Sequence, residues 1–281
     1  MKKSTPEKSN HDNKLAPIKP VKKGFLPWCW RWLISPFLTL FISFHLLVAI
    51  MLAVWAYFPV SNSMFMISHR LSGGSVTQTW VDYDKIATGV KQAAIASEDA
   101  KFSHHHGFDW QGIEIAAKAN DKKGKISKGG STISQQLVKN MFRVRTEYST
   151  GLLGYIPGVK ILIMKLKEMI IATELEMFCT KNEILTMYAN TVDFGSNAYG
   201  IKTAAKTYFN TTPAKLKTEE AAVLVGLLKA TSAYNPKSNP RNALQRRNVV
   251  LHNMYTHGSL SKEAYDHLKA KPIELKFSVE S

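Results

Sequence analysis

The sequence predicts a mainly α-helical protein, with a single N-terminal transmembrane helix ahead of one helical domain. Three observations carry this reading. Residues Leu33 to Phe58, LISPFLTLFISFHLLVAIMLAVWAYF, run for 26 residues without a formally charged side chain, long enough to span a bilayer with some tilt. From Tyr83 onward, apolar residues recur at helical spacing and helix-start signals follow one another. No segment alternates convincingly as a strand before the tail IELKFSVES. The chain then divides into a basic tail (1–32), a signal anchor (33–58), a membrane-proximal linker (59–82), a helical domain (83–268) and a C-terminal tail or connector (269–281).

The N-terminal tail carries Lys2, Lys3, Lys8, Lys14, Lys19, Lys22, Lys23 and Arg31 against Glu7 and Asp12. By the positive-inside rule this flank stays in the cytoplasm and everything after Phe58 is exported. No small-residue cleavage pattern follows the apolar run, so the segment reads as an uncleaved anchor. The formal charge is +16, of which the tail supplies only a part, so the exported portion is basic too. Outside the cytoplasm that basicity points away from nucleic acid and toward anionic lipid or a lipid-linked phosphate. Cys29 and Cys179 fall on opposite sides of the membrane, so no disulfide is expected and Cys179 reads as a free, buried thiol.

Past a bend at Gly73-Gly74, the helix starts come in order. Asp109 precedes WQGIEIAAKA, Thr180-x-x-Glu183 forms a capping box before ILTMYAN, Thr218 precedes EEAAVLVGLLKA, and Ser261 precedes KEAYDHLKA. No internal repeat or heptad pattern appears.

Chemistry concentrates in three places. The first is SEDAKFSHHHGFDW, Ser97 to Trp110. His104 and His106, with Glu98 or Asp99, could hold a transition metal if the chain is extended there, but the i, i+4 spacing of a helical chelate is missing and no HExxH or cysteine pair supports it. The histidines therefore read as structural, and no metal site is expected. Ahead of them, Ile86, Val90, Ala93 and Ser97 share a helical face, placing Glu98 and Asp99 at the helix C-terminus. There the macrodipole disfavours negative charge and makes a carboxylate a better proton acceptor, although an exposed pair of acids ending a helix would look the same.

The second is a stripe over Ile161, Met164, Glu168, Ile171, Leu175 and Phe178, in which Glu168 interrupts an apolar seam. A carboxylate there must be paired, with Lys165 or Lys167 at hand, or line a cleft. The third is KGGSTISQQLVKN, Lys128 to Asn140, a polar band of Ser131, Thr132, Ser134, Gln135 and Gln136 leading to Lys139 and Asn140. It reads as too long for an N-cap turn, lacks the nucleotide P-loop pattern and suits a sugar or phosphate. Two separated carboxylates fit a glycosidase, in which one acid protonates the leaving group. They equally fit glycosyl transfer from a sugar diphosphate, in which cations replace that acid. The surplus of Lys139, Arg143, Arg145, Lys165 and Lys167 favours transfer.

At these residues the sequence resembles the bacterial peptidoglycan glycosyltransferases, the lysozyme-like family found as monofunctional enzymes and as the N-terminal part of class A penicillin-binding proteins. The resemblance runs from about Tyr83 to Met254. It rests on E-D-x-x-F-x-x-H-x-G (Glu98, Asp99, Phe102, His105, Gly107), on G-G-S-T-x-[ST]-Q-Q-x-x-K-N (Gly129 to Asn140), on Met164, Lys165 and Glu168 where R-K-x-x-E is usual, on KNEILTMYAN with Tyr188 and Asn190, and on RRNVVL from Arg246.

The resemblance implies an inverting polymerisation of lipid II into β-1,4-linked glycan with release of undecaprenyl diphosphate, with the catalytic domain outside the cytoplasmic membrane. Glu98 would be the general base on the acceptor 4-hydroxyl. Glu168, with Lys139, Lys165 and Lys167, would organise the donor diphosphate. Asp99, Phe102, His105, Ser131, Thr132, Gln135, Gln136, Asn140, Tyr188 and Asn190 complete the implied substrate site, with His105 holding the loop that presents Glu98. Arg145 is assigned the charge missing at Met164. The apolar SMFMISHRL after the anchor would lie in the membrane surface.

No cofactor is required by the sequence, though a divalent cation such as Mg or Mn fits the diphosphate. The implied partners are lipid II, the growing lipid-linked chain, the membrane and other cell-wall synthesis proteins, with no nucleic acid. No S-x-x-K and K-T-G pair of a transpeptidase is present, yet KPIELKFSVES resembles a connector into one, so the chain is expected to be either monofunctional or the front of a bifunctional enzyme. A membrane-anchored lytic glycosidase and a non-catalytic lipid II-binding scaffold are the other readings.

Overall fold

The computed structural model describes residues 34–57, 80–123, 130–142 and 159–276. These residues are mainly helical, and the only β pairing among them is two isolated bridges, His106 with Phe108 and Asp193 with Tyr199. The chain forms two compact units, residues 1–44 and 45–281. Helix α1 (Ser35–Tyr57) begins in the first and continues into the second. Its segment Ser35–Ala53 has a mean hydropathy of 2.2 and is long and apolar enough to cross a membrane. Phe37, Leu40, Leu46 and Leu47 are exposed along it, which is the pattern of a helix whose solvent is lipid rather than a protein core.

The larger unit is built from nine further helices among the described residues: α2 (Thr88–Glu98), α3 (Trp110–Lys123), α4 (Ile133–Phe142), α5 (Val159–Phe178), α6 (Lys181–Thr191), α7 (Gly200–Phe209), α8 (Thr218–Leu227), α9 (Pro240–Thr256) and α10 (Lys262–Ala270). Two packed groups organise it. Helices α2, α8 and α9 pack on one another, while α4 lies against α5 and α6, and α7 packs on α6. Past its first turn helix α8, TEEAAVLVGL, is apolar all round because it is enclosed; Ala221, Ala222, Leu224 and Leu227 have no exposed surface. The end of α2 meets α4 where the two groups adjoin, and that junction places Glu98.

The caps explain where several helices start. Thr180 and Glu183 form the expected reciprocal box on α6, and the Ser261 hydroxyl accepts from Ala264 N–H on α10. Asp109 precedes α3 directly and accepts from Gln111 N–H at 3.0 Å. Helix α8 differs by one residue: Lys217 is the N-cap and Thr218 is already helical, because the Glu220 carboxylate reaches back to Lys217 N–H. In α2, Ile86 lies outside the helix at the end of a 3-10 turn, and the buried face is Val90, Ala93, Ala94 and Ala96.

The stripe on α5 is shorter than its sequence spacing suggests. Met164, Glu168, Ile171 and Leu175 are buried as expected, but Ile161 is 71% exposed, and Leu162 and Leu166 are exposed beside it. The N-terminal turns of α5 therefore present aliphatic surface outward. The segment after Lys271 runs on without strand pairing over residues 272–276, tied back by Lys276 N–H to the Tyr208 carbonyl at 3.0 Å. Cys179 is buried and free, and Cys29 lies outside the described residues.

Candidate active site

The site is assembled where the end of α2, the start of α4 and the middle of α5 converge. Thr132 caps α4: its hydroxyl accepts from Gln135 N–H at 3.2 Å while the Gln135 side-chain oxygen accepts from Thr132 N–H at 3.1 Å. This is the T-x-x-Q form of a capping box. The polar band that reads in sequence as too long for a cap therefore contains one, and the spacing Thr132-x-x-Gln135 was its signal.

Asp99 fixes the first element to the second. Its carboxylate takes Ile133 N–H at 3.0 Å, at the amino end of α4 where unpaired N–H groups favour an anion, and both its oxygens lie 2.9–3.0 Å from His105 Nε2. Asp99 and His105 are both buried. Beneath them runs a second polar chain: Ser134 Oγ donates to Glu176, whose other oxygen takes Lys181 Nζ at 2.6 Å, and Lys181 also reaches the His105 carbonyl at 2.7 Å. His105 thus holds the loop after Glu98 in place. Phe102, a candidate substrate residue from sequence, is instead core: it is 2% exposed, edge-on to the His105 ring and covered by Lys181 Nζ at 4.4 Å.

Glu98, one residue before this anchor, is left for chemistry. Its side chain is 13% exposed; Oε2 accepts from Gln136 Nε2 at 3.0 Å and Oε1 lies 4.0 Å from Arg246 Nη2. Gln136 is itself oriented by Tyr188, whose hydroxyl donates to Gln136 Oε1 at 3.1 Å. Burial, and then the charges of Glu98 and Asp99, push the Tyr188 phenol well above its ordinary range, so that hydroxyl stays protonated and remains a donor. In sequence Arg246 stands only as the first residue of RRNVVL. The structure adds it to the site, with a buried Nε that has no partner.

The second carboxylate is paired with a cation. Glu168 is 1% exposed on α5 and pairs with Lys165 Nζ at 2.9 Å; the same ammonium reaches Ser131 Oγ at 2.9 Å and Gln135 Oε1 at 3.3 Å. A carboxylate this buried requires such a pairing. Lys139 and Gln135 share one face of α4, while Asn140 is exposed one turn beyond Gln136. Lys167 is partly exposed on α5. Asn190 is not part of this grouping: its buried side chain is bound to the Val81 backbone on both sides and to the Thr186 carbonyl, so it ties the 80–82 segment to α6. Met164 is buried, and Arg145 and Arg143 lie outside the described residues, as does SMFMISHRL. Among the described residues no three His, Cys, Asp or Glu side chains converge as a metal site.

The arrangement gives one partly exposed carboxylate held by Gln136 and an ammonium that reaches the adjacent Gln135, among hydroxyl and amide groups. A carboxylate and an ammonium in such an arrangement are compatible with glycosyl transfer from a phosphorylated sugar. Comparison with known proteins gives the family. The transglycosylase family model matches residues 66–255. A biosynthetic peptidoglycan transglycosylase of Acinetobacter baylyi is 37% identical over 222 residues, which are 76% of this chain and 93% of that protein. Penicillin-binding protein 1A of Aquifex aeolicus is 38% identical over 78% of this chain but only 28% of its own length. The crystal structure of penicillin-binding protein 1A from Haemophilus influenzae aligns with 39% identity over 35% of this chain and 15% of that one, at a TM-score of 0.34. The chain belongs to the transglycosylase family, whose members here are peptidoglycan glycosyltransferases.

Proposed function

We propose that this peptidoglycan glycosyltransferase polymerises lipid II by an inverting transfer, with Glu98 as the general base. The acceptor 4-hydroxyl gives its proton to the free face of the Glu98 carboxylate as its oxygen bonds to the anomeric carbon of the lipid-linked donor. The bond from that carbon to the diphosphate breaks, and undecaprenyl diphosphate leaves with the electron pair. Gln136 holds the carboxylate through one oxygen and leaves the other, on the Arg246 side, to take the proton. Lys165, with Ser131 and Gln135 around it, neutralises charge gathering on the diphosphate; Lys139 and Lys167 add to that field, and Glu168 holds Lys165 in place. A divalent cation taking part here would draw most of its ligands from diphosphate and water, with Glu168 as the nearby carboxylate.

The observation that carries this reading is the separation of roles between the two carboxylates: Glu98 is hydrogen-bonded through Gln136 and Tyr188, with Arg246 no closer than 4.0 Å to its other oxygen, while Glu168 is tied directly to Lys165 at 2.9 Å. A glycosidase needs one of its two acids protonated to assist departure. Here the second acid, Glu168, is instead paired with Lys165.

The chain acts at the membrane, held by α1, with its catalytic unit on the extracytoplasmic side, a placement that the basic N-terminal flank supports. Other cell-wall synthesis proteins are the partners this location would bring within reach. Incubating the detergent-solubilised chain with labelled lipid II, and separately with finished glycan strands, tests the reading. Long polymer from lipid II is expected; shortened strands with no polymer would establish a lytic enzyme instead, and an inert chain would leave a binding role.

A further inference from the structure

The loop that carries Glu98 and Asp99 on one side has a second face that the reaction does not use. Past His105 the chain lines a cavity of about 560 Å³ with Lys101, His104, His106, Phe108, Trp110 and Gln111. Trp110, the first residue of α3, is 68% exposed and stands perpendicular to Phe108 with ring centroids 5.1 Å apart. We propose that this aromatic face is an accessory subsite for a β-1,4-linked N-acetylated glycan strand. The proposal rests on the polymerase reading for its biological ligand.

The chemistry of the cavity selects a sugar. A pyranose ring in a β-1,4 chain presents axial C–H groups on a flat face and hydroxyl or amide groups around its rim. It therefore binds best to an exposed aromatic plane surrounded by donors and acceptors. Trp110 supplies the plane, and its edge-to-face contact with Phe108 fixes its orientation. His104, His106 and Gln111 are exposed around it. The one ammonium of the rim, Lys101, is bonded to Gln111, and Asp109 balances its charge, so the cavity carries no surplus of cations to favour a phosphate headgroup. The volume lies within the usual range for small-ligand sites.

The face is also rigid. Gly107 has φ +89°, and a Cβ placed there would lie 2.6–2.8 Å from the Ala172 and Thr173 backbone of α5, so the loop presses directly on that helix. Its carbonyl takes the Thr132 hydroxyl at 2.6 Å, and His105 is held by Asp99. A platform held this way loses little freedom on binding. A membrane-facing role fits less well: the outward aliphatic surface lies on the first turns of α5, at Ile161, Leu162 and Leu166, whereas Trp110 stands in a concave site with an acid and three histidines. A strand retained here, on the loop that carries the base, would stay with the enzyme between additions.

The test uses the full chain in detergent and a soluble chito-oligosaccharide, with wild type, Glu98→Gln, Trp110→Ala and Trp110→Phe compared by calorimetry. Wild type and Glu98→Gln are expected to bind alike, Trp110→Phe to retain most of the affinity, and Trp110→Ala to lose it about tenfold or more. With lipid II, Trp110→Ala should keep the initial rate but release shorter chains. Equal binding by Trp110→Ala and wild type would overturn the subsite. So would quenching of the Trp110 fluorescence, taken as wild type minus Trp110→Ala, by brominated lipids in reconstituted vesicles, which would place the indole in the membrane surface. Trp110-dependent oligosaccharide binding by a chain that makes no polymer would uphold the subsite while overturning the polymerase reading.

Discussion

Gln136 joins Glu98 to Tyr188: its amide nitrogen donates to the Glu98 carboxylate at 3.0 Å and its amide oxygen accepts the Tyr188 hydroxyl at 3.1 Å. The relay fixes which way the glutamine points: the Glu98 carboxylate takes an N–H of the amide, which leaves the amide oxygen to accept from the Tyr188 hydroxyl, a phenol held protonated. Gln136→Ala should lower kcat about 10–100-fold, since it frees the carboxylate from its single fixed orientation, with a smaller change in KM. Tyr188→Phe should cost roughly 1 kcal/mol of stability from the lost hydrogen bond and a few-fold in kcat. Steady-state polymerisation rates and thermal melts separate the two effects.

Lys165 is expected to matter twice. Lys165→Met removes the cation facing Ser131 and Gln135 and breaks the buried pair with Glu168, so it should raise the KM for donor and destabilise the fold by up to about 3 kcal/mol. Lys165→Arg should rescue much of the stability and less of the rate, because the guanidinium is broader and differently hydrated than the ammonium. A melt and a donor titration on each variant check this.

Gly107→Ala should be the most damaging conservative change on the loop. The added carbon meets α5 backbone at 2.6 Å, and φ at +89° is unfavourable for any side chain, so a loss of about 2 kcal/mol or more is expected. Unfolding in urea measures it, and a midpoint unchanged from wild type would contradict the tight approach.

Cys179 should be silent toward thiol reagents in the native protein. Burial, with the Glu183 charge adding to it, pushes this thiol up to about 12. In a Cys29→Ser background, iodoacetamide at pH 8 should label the chain only after unfolding. The sign of the linked stability follows. The unfolded thiol releases its proton near its ordinary value while the folded one holds it, so the unfolded state binds fewer protons from about pH 9 to 12 and stability falls as pH rises through that window. Cys179→Ala should flatten that alkaline limb.

The fold was legible in sequence wherever a helix had an amphipathic face or a side-chain cap. Thr180 and Ser261 announce α6 and α10 because their hydroxyls do the capping, and Ile171 and Leu175 announce the buried face of α5. Ile161 shares that periodicity yet is exposed, because periodicity reports a common face without reporting how much of it is covered. The site was legible as a set of residue types but less so as roles. Phe102 and Asn190 stand in the same motifs as Glu98 and Tyr188, yet they support the backbone from below, a distinction that depends on long-range contacts with Lys181 and Val81. The place of Arg246 in the site is hidden in sequence for the same reason: its approach to Glu98 joins α9 to α2 across 148 positions.

The most direct test of Glu98 as the base is a single-turnover measurement of undecaprenyl diphosphate release from lipid II by wild type and Glu98→Gln, with lipid II binding measured on the same samples. The expected result is a loss of at least about a hundredfold in rate with binding retained, the scale of a missing general base. A Glu98→Gln rate within a few-fold of wild type would contradict the assignment and move the proton acceptor elsewhere in the site.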